Sequence, residues 1–153
     1  MELTYKPAAA EDIEPIYALC KALIERYERL ETIDLPKVLR WVRQKIETAI
    51  GEYTVIYAGT QKAGYYHFYK NEDGQFEIDD LYVFPEFQNR GIGSAVVKKC
   101  CASVQAPVML YVFVQNERAV ALYKRLGFEV AETIRDSRYI MRKENSSPCA
   151  GRG

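Results

Sequence analysis

The chain has 153 residues, 48% hydrophobic and 27% charged, the balance of a globular domain long enough to bury its core without disulfides or a metal. Lys plus Arg and Asp plus Glu both number 21, so no net charge steers it toward nucleic acid or an anionic membrane, and any anion must be held by local geometry. Cys20, Cys100, Cys101 and Cys149 lack CxxC spacing and His67 is the one histidine, which argues against a zinc site. With no basic-then-apolar leader and no apolar run near ~18 residues, the expectation is a cytoplasmic protein with reduced thiols, no metal, no nucleic acid and no membrane partner.

The first segment, "MELTYKPA", reads as a short strand stopped by Pro7. From about Ala9 to Leu30, Ile13, Ile16, Tyr17, Cys20, Leu23, Ile24, Tyr27 and Leu30 recur at threes and fours, the pattern of an amphipathic helix. Asp34 and Pro36 open a second helix carrying Val38, Val42, Ile46, Ala49 and Ile50, and Gly51 is expected to close it. "EYTVIYAG" and "AGYYHFYK" are β-branched and aromatic, with Gly59 and Gly64 around the turn. The turn signal "NEDG" leads to the strand "QFEIDDLYVFP".

A helix follows from about Gly91 to Val104, in which Cys100 and Cys101 read as packing residues. "PVMLYVFV" reads as a central buried strand. "NERAVALYKRL" is a helix with Asn116 as N-cap and Gly127 at its end, and "GFEVAET" and "SRYIMRK" form a closing hairpin. The expected order is β, α, α, β, β, β, α, β, α, β, β, an α/β (α+β) arrangement with a mixed sheet. Residues 1–145 read as a single domain and 146–153 as a flexible tail.

The seam between "LYVFP" and the third helix is "Gln88-Asn89-Arg90-Gly91-Ile92-Gly93-Ser94". A helix start leaves its first N–H groups without partners at the positive end of the helix dipole, where a phosphate is welcome. Glycines let the backbone approach closely and adopt positive φ, and Arg90 adds a fork suited to phosphate oxygens. A Rossmann fingerprint is excluded because Val96 stands where the third glycine belongs, and a P-loop because Ser94 and Ala95 follow Gly93. On these residues alone, a tight turn that binds nothing is an equal alternative.

"Q-N-R-G-I-G" after "V-F-P-E" resembles the Q/R-x-x-G-x-G/A acyl-CoA signature of the GNAT superfamily of N-acetyltransferases. "N-E-R-A-V-A-L-Y-K-R-L-G-F", one helix and one strand downstream, is similar to the Asn-x-x-A-x-x-x-Y-x-x-x-G-F segment of that superfamily. The two motifs span Ile78 to Phe128. The resemblance implies a mostly antiparallel sheet of about seven strands with about four helices. It also implies that the sheet splays between the strand ending at Phe84 and the strand from Val108 to Val114, with acetyl-CoA in the cleft.

By position, Gln88, Asn89, Arg90, Gly91, Ile92, Gly93 and Ser94 would then hold the pyrophosphate. Main-chain groups of Leu81, Val83 and Phe84 would pair with the pantetheine and polarise the thioester carbonyl. Asn116 would contact the pantetheine arm, and Tyr123, a phenol of pKa ~10, would protonate the leaving thiolate. Tyr123 also shares a helical face with Ala119, Val120 and Leu126, the setting of a packing tyrosine.

Asp79 is preferred as the group that takes the amine proton, with Asp80 and Glu77 as alternatives and water as another. In a regular strand Glu77, Asp79, Leu81 and Val83 face one way and Ile78, Asp80, Tyr82 and Phe84 the other, a parity that a β-bulge would shift. Between Lys70 and Arg90 there is no Lys or Arg, and Tyr65, Glu77 and Asp80 are candidates to receive a small cationic amine. A solvated acidic hairpin is the plain alternative. His67 reads as structural.

The implied activity is acetyl transfer from acetyl-CoA to a primary amine by direct attack. A CoA-binding sensor or interaction module with little catalysis, or acetylation of protein lysines or N-termini, stand as alternatives. The superfamily often dimerises, and the aromatic strands leave room for a homodimer.

Overall fold

The computed structural model describes residues 2–145; the expected tail at 146–153, with Cys149, lies outside them. Hydrogen-bonded strand neighbours run β1-β2-β3-β4-β5-β7-β6 through seven strands, all antiparallel except β4 with β5 where a register is given. The strands are β1 (Leu3–Pro7), β2 (Tyr53–Ala58), β3 (Gln61–Lys70), β4 (Phe76–Val83), β5 (Val108–Phe113), β6 (Glu129–Ile134) and β7 (Arg138–Lys143). The helices are α1 (Ile13–Tyr27), α2 (Leu35–Ala49), α3 (Ile92–Ala102) and α4 (Glu117–Arg125), so the expected element order holds throughout. No helix among the described residues is long and apolar enough to cross a membrane.

The chain forms two compact units, the first made of residues up to His67 with Asp80–Gln88, the second of Phe68–Asp79 with the residues from Asn89 onward. In the first unit β1 pairs with β2 from Leu3↔Ala58 to Pro7↔Thr54, and β2 with β3 from Tyr53↔His67 to Ala58↔Gln61. Its core joins Ile16 and Cys20 of α1, Val42 and Ile46 of α2, and Tyr53, Val55 and Tyr65 of the strands. The threes-and-fours of α1 and α2 deliver these side chains to one face. Asp34 caps α2, its Oδ1 accepting from Lys37 N–H at 3.2 Å, with Pro36 in the first turn.

Three local expectations change. The first long helix is shorter than Ala9–Leu30: short 3-10 turns at Ala10–Asp12 and Leu30–Thr32 flank α1, and the Asp12 carboxylate accepts from Ala9 N–H at 2.9 Å. Gly51 does not close α2 in the left-handed manner, because the helix tightens into a 3-10 turn at Ile50–Glu52. Gly64 is not a turn residue. It lies within β3, where an added Cβ would run into the Tyr82 carbonyl oxygen and lie 3.0 Å from Tyr82 C and 3.1 Å from Val83 Cα, while Gly59, at φ 64°, makes the turn.

Asp80 breaks β4 with φ 51°, a left-handed residue inside a strand and the mark of a bulge. Asp80, Tyr82 and Phe84 nevertheless share the side of α1 and α2: Tyr82 Oη lies 3.1 Å from Asp80 Oδ1, and Tyr82 and Phe84 pack on the core.

In the second unit β4 pairs in parallel with β5 over Phe76↔Val108, Glu77↔Met109 and Ile78↔Leu110, where the register ends. β5 continues with β7 from Val108↔Lys143 to Phe113↔Arg138. Ile92, Val96, Val97, Cys100 and Cys101 of α3 are buried, as are Val108, Met109, Leu110 and Val112 of β5. β5 is not buried throughout: Tyr111 is 41% exposed, with the Arg138 guanidinium 5.2 Å from its ring centroid.

Candidate functional site

The start of α3 differs from the starts of α2 and α4. Those two carry side-chain caps, Asp34 and Asn116. At α3 the N-cap is Gly91, which has no side chain to cap with and sits at φ 80°. The first intrahelical bond is Ala95 N–H to the Gly91 carbonyl at 3.0 Å, so the N–H groups of Ile92, Gly93 and Ser94 precede the ladder. A Cβ on Gly91 would meet nothing within 4 Å, so the space beside the N-cap itself is open.

The two glycines serve differently from what was expected. Gly91 supplies the positive φ, whereas a Cβ on Gly93 would meet only Leu122 Cδ2 at 3.5 Å, an ordinary contact. Asn89 is the second left-handed residue of the loop, at φ 65°, and its Oδ1 accepts from the Arg118 guanidinium. Arg118, on α4, went unnoticed in the sequence, where it reads as a surface residue of an amphipathic helix. Arg90 and Gln88 are exposed, Ile92 is buried and Ser94 half-buried.

Asn116 and Tyr123 lie at the two ends of α4. Asn116 Oδ1 accepts from Ala119 N–H at 3.3 Å, the N-cap the sequence indicated. Tyr123 is 9% exposed and packs edge-on against Phe128 with ring centroids 5.9 Å apart. Burial pushes its phenol up to about 12. At neutral pH Tyr123 is therefore a neutral hydroxyl, able to donate a hydrogen bond and unable to act as a base.

In the first unit, Leu81, Val83 and Phe84 follow the Asp80 bulge, half-buried. Phe84 N–H donates to the Ala63 carbonyl at 2.8 Å, and Gln88 Nε2 donates to the Val83 carbonyl at 3.0 Å. The loop residue Gln88 is thus brought onto Val83, and the two share the end of β4.

The acidic candidates separate. Glu77 is buried and accepts from Asn71 Nδ2 at 3.1 Å. Asp79 is half-buried on the strand before the bulge. Asp80 is the centre of a network: Tyr53 Oη donates to Oδ2 at 2.6 Å and Lys45 Nζ lies 3.3 Å from Oδ2. Tyr82 Oη and Cys20 Sγ approach Oδ1 at 3.1 and 3.5 Å. Burial opposes the charge, but the Lys45 ammonium and the Tyr53 and Tyr82 hydroxyls outweigh it and hold the carboxyl below its usual range. Burial and the Asp80 charge push the Cys20 thiol far up, so it stays protonated.

Tyr65 turns away to a second buried carboxylate. Its hydroxyl donates to Asp12 Oδ1 at 3.0 Å, beside Lys62 Nζ at 2.8 Å. Neither Asp12, Lys62, Lys45 nor Tyr53 carried a sequence signal, since each lies 27 or more residues from its partner. His67 stacks on Tyr53 at 4.5 Å, a packing role as expected.

Comparison with known proteins fits this arrangement. The sequence profile of the Acetyltransferase (GNAT) family matches residues 16–128. An uncharacterized N-acetyltransferase of Methanocaldococcus jannaschii is 40% identical over 63 residues, 39% of this chain and 28% of that protein. The thialysine N-epsilon-acetyltransferase of Bos taurus is 37% identical over 72 residues, 41% of this chain and 40% of that protein. The matches thus cover less than half of these curated relatives. The PaiA N-acetyltransferase of Thermoplasma acidophilum, solved in complex with coenzyme A, has a similar fold, with a TM-score of 0.67 and 20% identity over 94% of this chain and 99% of that one. The family match covers well over half of the sequence: the chain belongs to the acetyltransferase (GNAT) family.

Proposed function

We propose that the protein is an acetyl-CoA-dependent N-acetyltransferase that passes the acetyl group to a primary amine of a small cationic acceptor by direct attack. The observation that carries this reading is the start of α3: a helix N-terminus with no side-chain cap, a left-handed glycine with open space beside it, and three N–H donors ahead of the helical ladder. That is chemistry for a pyrophosphate. In this reading the N–H groups of Ile92, Gly93 and Ser94 bind the pyrophosphate, with Gln88, Asn89, Arg90 and Gly91 forming the loop around it. Main-chain groups of Leu81 and Val83 pair with the pantetheine, and an N–H there steadies the oxyanion of the tetrahedral intermediate, whereas the main chain of Phe84 is already committed to Ala63 and Phe87. Asn116 contacts the pantetheine arm.

The amine nitrogen bonds to the acetyl carbon, and the carbon–sulfur bond breaks as the intermediate collapses. Tyr123 faces the departing sulfur as a neutral phenol. Its pKa of about 12 exceeds the ~8.5 of an ordinary thiol, so it stabilises the thiolate first by a hydrogen bond. A full proton passes to sulfur only as the nitrogen gives one up. Asp79, directly or through water, receives that proton. The ε-nitrogen acceptor in the name of the bovine relative supports an amine at the end of a small molecule.

Thermal unfolding with acetyl-CoA, CoA, ATP and NAD tests the first half of this reading. A ligand at 100 times its dissociation constant adds ~2.7 kcal/mol, a rise of roughly 5–11 °C at ~2–4 °C per kcal/mol for a chain of this size. A rise with the CoA ligands alone is expected, and thiol release with an amine panel then separates an enzyme from a CoA-binding module. No rise with either CoA ligand refutes the reading.

A further inference from the structure

Asp80 is gripped from three elements: Tyr53 on β2, Cys20 on α1 and Tyr82 on β4. Tyr53 and Cys20 are buried, and the Asp80 side chain is only 9% exposed. The frame around the anion is therefore fixed, and its backbone is committed to a left-handed turn at φ 51°. The cation that meets it is built differently. Lys45 reaches in from α2 on a flexible four-carbon stem, and its side chain is 24% exposed against 9% for Asp80. One helical turn earlier Trp41 is 62% exposed, and the Lys45 ammonium lies 5.4 Å from its ring centroid. A large indole left in solvent is unusual, and here its face is turned to a cation. Carboxylate, phenols and indole face together make a receptor for an alkylammonium, and a side chain of the protein occupies it.

We propose that Asp80, Tyr53, Tyr82 and Trp41 form an ammonium-binding site that Lys45 fills in the free protein and yields to a cationic acceptor. This rests on the acetyltransferase reading for the identity of the guest, though not for the existence of the site. It also narrows the substrate class. The reacting nitrogen must lose its proton before it can attack, whereas this site stabilises an ammonium. The nitrogen bound at Asp80 is thus the non-reacting one, and the acceptor is an amine with a second positive charge, such as an α,ω-diamine or a longer polyamine.

The test restores an ammonium where one has been removed. Lys45→Ala keeps a good helix former on α2 and vacates the space of three methylenes and an ammonium, which n-butylammonium can enter ammonium first with its terminal methyl left outside. Its unfolding midpoint should fall, and n-butylammonium chloride should raise it again, while 1-butanol at equal concentration should not. Wild type, whose own lysine competes, should not respond, and neither should Lys45→Ala combined with Asp80→Asn. Should Lys45→Ala fail to fold, Lys45→Ser, which vacates nearly the same space, gives the same readings. In turnover, 1,4-diaminobutane should outperform butylamine, and Lys45→Gln should lower the diamine KM severalfold.

Absence of a selective butylammonium response in both variants makes the Asp80–Lys45 contact a closed structural pair and overturns the proposal. The two readings fail separately. A butylammonium response without thiol release from any amine upholds the site and overturns the acetyltransferase reading. Thiol release with the same diamine KM in wild type and Lys45→Gln does the reverse.

Discussion

Gly64→Ala puts a methyl group against backbone, not against a side chain that can swing away. The new Cβ would lie 3.0 Å from Tyr82 C and 3.1 Å from Val83 Cα, and closer still to the Tyr82 carbonyl oxygen. Ordinary carbon–carbon contact is about 3.5–4.0 Å and the Tyr82 oxygen lies nearer than either carbon, so β3 and β4 must part locally by about 1 Å or more. The neighbouring Phe84 N–H to Ala63 carbonyl bond, now 2.8 Å, lengthens with them. Overpacking a filled site costs typically 1–3 kcal/mol, and a rigid obstacle puts this one near ~3 kcal/mol. At ~2–4 °C per kcal/mol, the midpoint should fall by roughly 6–12 °C. Gly51→Ala is the control: its Cβ meets nothing within 4 Å and its φ is not left-handed, so it should stay within about 0.5 kcal/mol of wild type. Chemical denaturation of the three proteins side by side decides the matter. Equal stability of Gly64→Ala and Gly51→Ala would show that β3 and β4 do not approach as described.

Gly93→Ala should be silent: its Cβ fits at 3.5 Å from Leu122 and the signature accepts alanine there, so stability should stay within about 0.5 kcal/mol of wild type and calorimetry should show CoA affinity unchanged. Tyr123→Phe should lower turnover by about a hundredfold or more, as loss of a general acid does, with the CoA dissociation constant unchanged. Spectrophotometric titration of wild type and that variant should place the Tyr123 phenolate near pH 12. Asp12→Asn tests the buried carboxylate of the first unit. Burial opposes its charge, yet Lys62, the Ala9 N–H and Tyr65 hold it below the usual range. A depressed folded pKa stabilises above the unfolded value of ~3.9 and ceases to do so as pH falls through the folded value. Urea unfolding should therefore show wild type ahead by about 2 kcal/mol at pH 6, with the gap closing below about pH 4.

The element order was legible because helix and strand periods differ and each stretch kept to one of them. The α3 seam was legible because its chemistry is local: seven consecutive residues hold the glycines and the open donors. Asn116 was legible for the same reason, since a cap reaches only three residues ahead. Gly64 was misread because a glycine beside alanine and before an aromatic run resembles a turn; what demands it is the Tyr82 carbonyl, eighteen positions away. The preference for Asp79 over Asp80 came from the resemblance, in which an acidic residue four before the valine position serves as base in some members. The partners around Asp80 come from α1, α2 and β2, up to 60 residues distant, and a stretch without Lys or Arg around it concealed that Lys45 supplies the positive charge. Tyr65 looked available because its sequence neighbours are aromatic, while its hydroxyl is taken by Asp12, 53 residues earlier.

Helix α4 ties two distant demands to one rigid rod. Near its start Arg118 grips Asn89 and so anchors the loop that leads into α3; near its end stands Tyr123. Five residues of α-helix set these points about 7.5 Å apart along the axis. The rod therefore acts as a gauge: in the proposed mechanism it fixes how far the loop assigned to the phosphates stands from the hydroxyl assigned to the sulfur. A single residue inserted between Arg118 and Tyr123 would turn one against the other by about 100° and lengthen the gauge by ~1.5 Å, setting both the measure and the buried face of α4 wrong.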